Sequence, residues 1–409
     1  MQHFAKRLLL VGGGYADIPL ILAARRLGYH VTTSGNRPDE LGHRYGDEYQ
    51  PADFSDPEAI HRLAERLEVS AICACCNDFA ALSAAYAAEQ LGLPGHDSFD
   101  VAQVIHHKDR YRQFALDHAI ATPKAMGFTS KRHALTGIGS LPLPVIVKPV
   151  DLTGGKGMSI VKEGRESEVA IDKAFASSKT SRIVVEEFVV GSRHGFSAFL
   201  VDGRVVFFFS DNEHYFLNPF LVSAASVPSI ASPVVERALC ADAEKIASLL
   251  SLQDGIFHVQ YILRDDEPII IEICRRAPGD LYVELVRHAT GVDYPAWIVR
   301  ASAGLDCSAL GQAPPKSYYT RHCVMSAAPG RVKDVVFDAS IEHNIIDRFM
   351  FWQRGDVVAD ILTAKFGIVF LEFTSQDEMW DKTERMQQLI RVITDGPAAE
   401  EVARTVNVA

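Results

Sequence analysis

Three things are missing from this sequence: a run of lysine and arginine, an apolar stretch near the length of a membrane span, and a repeated motif. A spanning helix needs ~20 consecutive apolar residues, so none is expected. Ahead of the first glycines the apolar run covers only residues 8–11, too short for the core of a secretory leader, and no leader is expected. Positive charge is in deficit. Against 52 Asp+Glu stand 41 Lys+Arg, a formal net charge of -11 that repels phosphate backbones and makes nucleic acid and anionic membranes poor partners. Gly and Pro number only 28 and 19 in 409 residues while 48% are hydrophobic, which excludes collagen-like and disordered chains. That length predicts two or three packed units. Cysteine is scarce too: seven copies, mostly scattered, with Cys73, Cys75 and Cys76 inside an apolar strand-like run, unlike a disulfide-stapled secreted domain. Reduced thiols and a cytoplasmic location are expected.

What is present begins as alternating strand and helix. Residues 8–11 read as a strand, Ile18, Ile21, Ala24 and Leu27 as one helical face, and 30–33 as a second strand. A further helix about Ile60 and Leu63, a strand at 71–75 and an Ala-rich helix at 79–91 complete a small parallel α/β unit. From Thr122 the texture turns to β, with short apolar runs at 145–147, 158–161 and 183–185 around a helix near 168–176. A β-rich stretch at 196–210, a helix at 234–250 and a hairpin of 257–263 with 269–273 follow. The last segment is predicted to hold a strand at 368–373 and a helix over 379–393.

Gly12, Gly13 and Gly14 after the first strand invite a dinucleotide-binding reading and with it an NAD-dependent oxidoreductase. Counted from Gly12, G-x-G-x-x-G requires glycine at position 17, where Asp17 would face the phosphates. A tight strand-to-helix turn without NAD is favoured.

Other residues carry chemistry in a fixed order. Lys108 opens a helix-like stretch, and Lys148 leaves a predicted strand ahead of Pro149. Gly154, Gly155, Lys156 and Gly157 form a loop between strands, with amides able to cap phosphate oxygens. No Ser or Thr follows the lysine, so it is not a P-loop. Glu186 and Glu187 end the next strand. Gln260 faces Glu272 across the hairpin, and the two-residue period puts Glu272, Cys274 and Arg276 on one face: a carboxylate for a hard cation and a guanidinium for an anionic transition state. Taken singly, these read as solvated lysines, a glycine-rich hairpin and a strand salt bridge.

Their joint order resembles the ATP-grasp superfamily of carboxylate-amine ligases, in its biotin-carboxylase and carbamoyl-phosphate-synthase-like branch, where L-amino acid ligases are similar. The resemblance implies an α/β ATP-grasp fold: a Rossmann-like pre-ATP-grasp domain over 1–105, an ATP-grasp domain over 106–310 with a lid subdomain at about 122–188, and a C-terminal α+β domain over 311–409. It implies ATP and Mg2+. Lys108 and Lys148 would contact the nucleotide phosphates, with Gly154, Gly155, Lys156 and Gly157 closing over them. Glu186 would meet the adenine amino group, flanked by the carbonyl of Glu187 and the amide of Val189, and His194 the ribose. Gln260 and Glu272 fall on the metal positions, and Arg276 on the arginine that, with Lys148, serves phosphoryl transfer.

The implied reaction activates a carboxylate as an acyl phosphate and joins it to an amine, with amino acids as candidate substrates. Asp280 and Glu284 are candidates for an amino group, against the reading of a solvated helix face, and Arg276 with Arg321 for a carboxylate. The partners implied are small-molecule carboxylates and amines, with a homodimer open as the oligomeric state. Two positions depart from the family pattern: Gln260 stands where Glu is more frequent, and Cys274 where Asn is usual, a soft ligand ill suited to magnesium. They keep open an ATP-binding protein without catalysis, acting as a regulatory or assembly subunit.

Overall fold

A computed structural model describes residues 6–152 and 154–396. The chain divides into two compact units, residues 1–152, 156–210 and 231–314 in one, and 153–155, 211–230 and 315–409 in the other.

The first unit opens with a four-stranded parallel sheet in the order Glu48–Pro51, His30–Gly35, Arg7–Val11, Ala71–Ala74. The three strands Arg7–Val11, His30–Gly35 and Ala71–Ala74 are buried almost throughout, as a sheet covered by helices requires, while the edge strand Glu48–Pro51 is polar and only partly buried. Helix Pro57–Arg66 starts where Asp56 accepts from the amides of Glu58 (3.0 Å) and Ala59 (3.2 Å), with Pro57 in the first turn. Its buried face is Ile60, Leu63 and Ala64. Helix Asp78–Leu91 is capped by Asn77 and ends at Gly92 with φ 64, the left-handed stop that glycine adopts without strain.

Next comes an antiparallel sheet in the order Ala125–Phe128, Ile183–Glu187, Val145–Pro149, Ser159–Val161. Val145, Val147, Ile183 and Val185 pack with Ala170, Ile171 and Ala174 of helix Ser167–Ser177. Alternation then sends Lys148 and Glu186 to the other face of the sheet, where the register makes them diagonal neighbours. A further antiparallel sheet runs Glu267–Cys274, Gly255–Arg264, Ser192–Val201 and the first part of Arg204–His214. Helix Pro233–Leu250 seals it with Val235, Leu239, Ala243 and Ile246 against Phe196, Phe257 and Val259.

From Asp211 the strand Arg204–His214 belongs to the second unit, where it pairs with Ala224–Val227. That sheet continues through Tyr318–Met325, Lys365–Phe373 and Ile345–Met350, and a small sheet holds Val357–Val358, Gly330–Phe337 and Ile390–Thr394. The helix expected over 379–393 is corrected here. Helices occupy Gln376–Glu384 and Met386–Leu389, and the chain then becomes a strand paired with Gly330–Phe337. Ile390, Val392 and Ile393 are β-branched, and a partner strand decides between two local preferences that the sequence leaves close. No helix among the described residues is long and apolar enough to cross a membrane.

Candidate active site

Lys148 stands next to the end of the buried strand Val145–Pro149 and is 5% exposed; Glu186 and Arg112 are 1% and 2% exposed. The three form one buried cluster. Lys148 Nζ donates to Glu186 Oε1, Arg112 Nε donates to Glu186 Oε2 at 3.0 Å, and an Arg112 terminal nitrogen donates to the Ile271 carbonyl at 2.7 Å. Two cations therefore share one carboxylate. Burial pushes the Lys148 ammonium below its ordinary pKa, with Glu186 opposing and Arg112 adding to the fall. Burial works against ionised Glu186, yet Arg112 and Lys148 outweigh it and hold the carboxyl below its usual range. The other terminal nitrogen of Arg112 is buried with no hydrogen-bond partner among the described residues. The cluster carries one surplus positive charge, the electrostatics of an anion site.

Gln260 and Glu272 are directly opposed across the hairpin, beside a bulge between Gln260 and Tyr261. Such bulges re-aim side chains next to functional sites. Lys108, at the start of helix Lys108–Asp117, places its Nζ 3.7 Å from Glu272 Oε1 and 2.8 Å from the Leu152 carbonyl. One edge of the hairpin thus bears an amide oxygen, a carboxylate and an ammonium. Cys274 is buried and pairs across the hairpin with His258, and burial pushes its thiol well above the ordinary pKa. A neutral thiol is a poor partner for a hard cation.

The two arginines that follow do different work. Arg275 donates to the carbonyls of Gln253 (2.5 Å) and Ile256 (2.5 Å) and to Asp97 (2.9 Å), tying the chain together. Arg276 instead reaches Asp78, with Nε and a terminal nitrogen both 2.9 Å from Oδ1. Asp78 also meets His106 Nδ1 at 3.2 Å. Burial opposes both charges, but Arg276 and His106 hold the Asp78 carboxyl far below its usual range, and Asp78 raises the Arg276 guanidinium. Arg276 is therefore a permanently charged group held in one orientation.

A family model, the phosphoribosylglycinamide synthetase ATP-grasp (A) domain, matches residues 106–216, the stretch that contributes Lys108, Lys148 and Glu186. The L-amino acid ligase from Bacillus licheniformis superposes with a TM-score of 0.79 over 96% of this chain and 100% of that one, at 20% identity. This is an ATP-grasp fold. The biotin carboxylase domain of 2-oxoglutarate carboxylase from Hydrogenobacter thermophilus, solved as a dimer with MgADP, ADP and bicarbonate, gives 0.76 over 95% and 91% of the two chains, at 16% identity. By sequence, the formate-dependent phosphoribosylglycinamide formyltransferase of Burkholderia cenocepacia is 29% identical over 193 residues, 45% of this chain and 46% of that protein. The aligned part of the chain thus spans about half the length of the curated relatives it matches.

On the ATP-grasp fold, Lys108, Lys148, Glu186, Gln260, Glu272 and Arg276 all belong to the first unit. Gly154, Gly155, Lys156 and Gly157 lie in the loop between Val145–Pro149 and Ser159–Val161, and the three glycines have φ of 66, 78 and 71. Glu187 turns away from Glu186 to pair with Arg264 at 2.7 Å. Val189 is buried two residues further on. His194 has no exposed surface: its ring stacks on Tyr261 with centroids 5.1 Å apart, and Nε2 lies 2.7 Å from Ser192 Oγ. Asp280 accepts from the Tyr15 hydroxyl at 2.6 Å, and Glu284 pairs with Arg287 on helix Tyr282–Thr290. Arg321 is a buried residue of strand Tyr318–Met325 in the second unit.

Sequence reasoning missed Arg112 and Asp78. Arg112 lies one helical turn after Lys108, a spacing that shares a face. Asp78 follows the helix cap Asn77 and reads as an ordinary first-turn acid until the fold brings Arg276 to it.

Among the described residues, no group of three or more His, Cys, Asp or Glu forms a ready metal cage. Magnesium needs none, since it binds one or two carboxylates and fills its shell with water and substrate phosphates. Gln260 and Glu272 are a donor set of that kind, and the surplus charge at Lys148 and Arg112 fits a phosphate chain.

Proposed function

We propose that the chain is an ATP-dependent, ADP-forming carboxylate-amine ligase. The observation that carries this is the hairpin edge where the Lys108 ammonium stands 3.7 Å from Glu272, itself opposed to Gln260. A cation for phosphate and hard oxygen donors for a metal share one place, which is the requirement for holding MgATP. Bound with magnesium, ATP supplies the γ-phosphoryl group that turns a carboxylate into an acyl phosphate, which an amine attacks to give an amide and phosphate.

The residues divide the remaining work. Lys108, Lys148 and the loop of Gly154, Gly155, Lys156 and Gly157 hold the phosphates, with Gln260 and Glu272 on the metal. Arg276, fixed by Asp78, faces the charge that develops on the transferring group. The loop amides close over the phosphates and keep water from the activated carboxylate. Glu186, Glu187 and Val189 frame the adenine side. His194, stacked on Tyr261, is the member of this set that must turn to reach a ribose. The same proposal extends to amino acids as substrates, a cytoplasmic location supported by seven free cysteines, and a homodimer.

The test is magnesium-dependent release of ADP and phosphate across pairs of amino acids and small carboxylates with amines. A pair that releases both only together is expected, and Glu272→Gln should lower its turnover at least 100-fold with the circular dichroism spectrum unchanged. Full turnover in that variant would refute the metal assignment.

A further inference from the structure

At the carboxyl ends of the parallel strands, the edge where sheets of this type take ligands, lies a cavity of ≈410 Å³. Its walls include the glycine turn, Tyr15, Asp17, Arg37, Glu40 and Asp280. A volume of this order falls in the range of small-molecule sites, ~300 to 1,000 Å³. Asp280 comes four residues after Arg276, and the lining residues Cys75, Cys76 and Asn77 lead directly into Asp78, which holds Arg276. The cavity adjoins the proposed reacting end.

Its chemistry is set by what the glycine turn does with its own amides. Asp17 is buried and accepts from the Gly14 amide at 2.7 Å and the Cys76 amide at 2.9 Å. Those are the donors a phosphate would use at such a turn. The room is taken as well: a Cβ on Gly13 would fall 2.2 Å from the His43 ring, and one on Gly42 would fall 2.5 Å from the Gly14 carbonyl. The glycines let the chain approach itself rather than a pyrophosphate.

The remaining charges on the wall are negative. Asp17, Glu40 and Asp280 stand against Arg37, which already pairs with Asp39 at 3.2 Å and Glu40 at 3.4 Å. The His43 nitrogens are engaged by Thr33 Oγ1 (2.9 Å) and the Arg37 carbonyl (3.0 Å). Burial raises the Glu40 carboxyl above its ordinary pKa, with Arg37 opposing, so a ligand cation beside it would be favoured.

We propose that this cavity seats the amine co-substrate, a small unphosphorylated ammonium compound of the amino acid or amino alcohol class, with its cation facing Glu40 and Asp280. This rests on the ligase reading and narrows it, since a phosphorylated amine would meet the Asp17 carboxylate in place of free amides.

Calorimetry on the full chain tests it without turnover, using the twenty amino acids and ethanolamine, with phosphoserine and phosphoethanolamine as phosphorylated counterparts. At least one unphosphorylated compound is expected to bind, at least tenfold more weakly to Glu40→Gln and to Asp280→Asn, while the phosphorylated counterparts give no heat. Asn tolerates the left-handed backbone at position 280, where φ is 56, so that variant keeps the fold. Silence from the whole panel, equal binding of a phosphorylated partner, or unchanged affinity in both variants would overturn the proposal. If ADP release persists while the cavity variants leave the amine KM unchanged, the cavity is wrong and the ligase stands. Binding that depends on Glu40 without ADP release from any carboxylate would instead remove the ligase reading and the co-substrate role with it.

Discussion

Glu186→Gln isolates the buried charge cluster. In the native chain one carboxylate compensates Lys148 and Arg112, all three at 5% exposure or less. Removing its charge leaves two cations facing each other out of water, and breaking a buried pair in this way costs about 3 to 5 kcal/mol. At a urea slope of ~3 kcal/mol per M, that is a midpoint lower by about 1 to 2 M. The direction with pH also follows. Lys148 already titrates below its ordinary value, and without Glu186 its folded pKa falls further. Between that folded pKa and the ordinary lysine value of ~10.4 the unfolded chain binds more protons, so the variant gains stability as pH rises through this window, more steeply than the parent. Adding Lys148→Met removes the repulsion and should recover much of the loss, a coupling of about 1 to 3 kcal/mol. Urea melts of the parent, the two single variants and the double variant at pH 7 and pH 9 read all three effects. A shift below about 0.5 M for Glu186→Gln, or strict additivity in the double variant, would show that the three charges do not act as one cluster.

Asp78→Asn should leave ATP affinity within about twofold but lower kcat by tenfold or more, about 1.4 kcal/mol, because Arg276 loses its fixed orientation rather than its charge. Equal changes in KM and kcat, or none, would make the contact merely structural. His322 is fully buried, neither ring nitrogen has a hydrogen-bond partner among the described residues, and burial pushes its pKa down to about 3. The unfolded imidazole titrates near 6.5, so the unfolded chain binds more protons between the two values and stability is lost as pH falls through that window. By pH 4 this histidine accounts for about 3 kcal/mol, so thermal melts of His322→Leu should gain on the parent by up to that amount between pH 7 and pH 4. Parallel curves would refute it.

Much of this was legible in the residues because it is local. The parallel βαβ start follows from periodicity, and so does the hairpin itself; counting back through its turn, however, sets Gln260 opposite Ile271, and it is the bulge beside Tyr261 that brings it opposite Glu272. What the sequence hides is long-range. Arg112 meets Glu186 across 74 positions and Asp78 meets Arg276 across 198, and neither pairing leaves a spacing to read. Asp17 is legible in part. Its charge, which sets the glycine turn against phosphate, is plain in the sequence, but that its carboxylate occupies the amides of Gly14 and of the distant Cys76 is not. The strand at Ile390–Thr394 was hidden because its partner lies some sixty residues earlier.

The departure at Gln260 gains a physical reading from the charges around it. Lys108, Arg112, Lys148 and Arg276 are set against Glu186, Glu272 and Asp78, one surplus cation within a chain of net charge -11. A glutamate at 260 would cancel that surplus, leaving the polyphosphate no net attraction inside an acidic protein. With glutamine the surplus survives, and the metal site is correspondingly poor in charge: a lone Mg2+ would meet one carboxylate with the Lys108 ammonium already 3.7 Å from it. On the proposed assignment the nucleotide would resolve this conflict, since its phosphates would neutralise Lys108 and add the oxygen donors that Gln260 and Glu272 alone would not supply to the metal. Metal should therefore enter as MgATP rather than ahead of it, so the free chain should show no magnesium binding at millimolar concentration in calorimetry while ATP binding is strengthened by the metal.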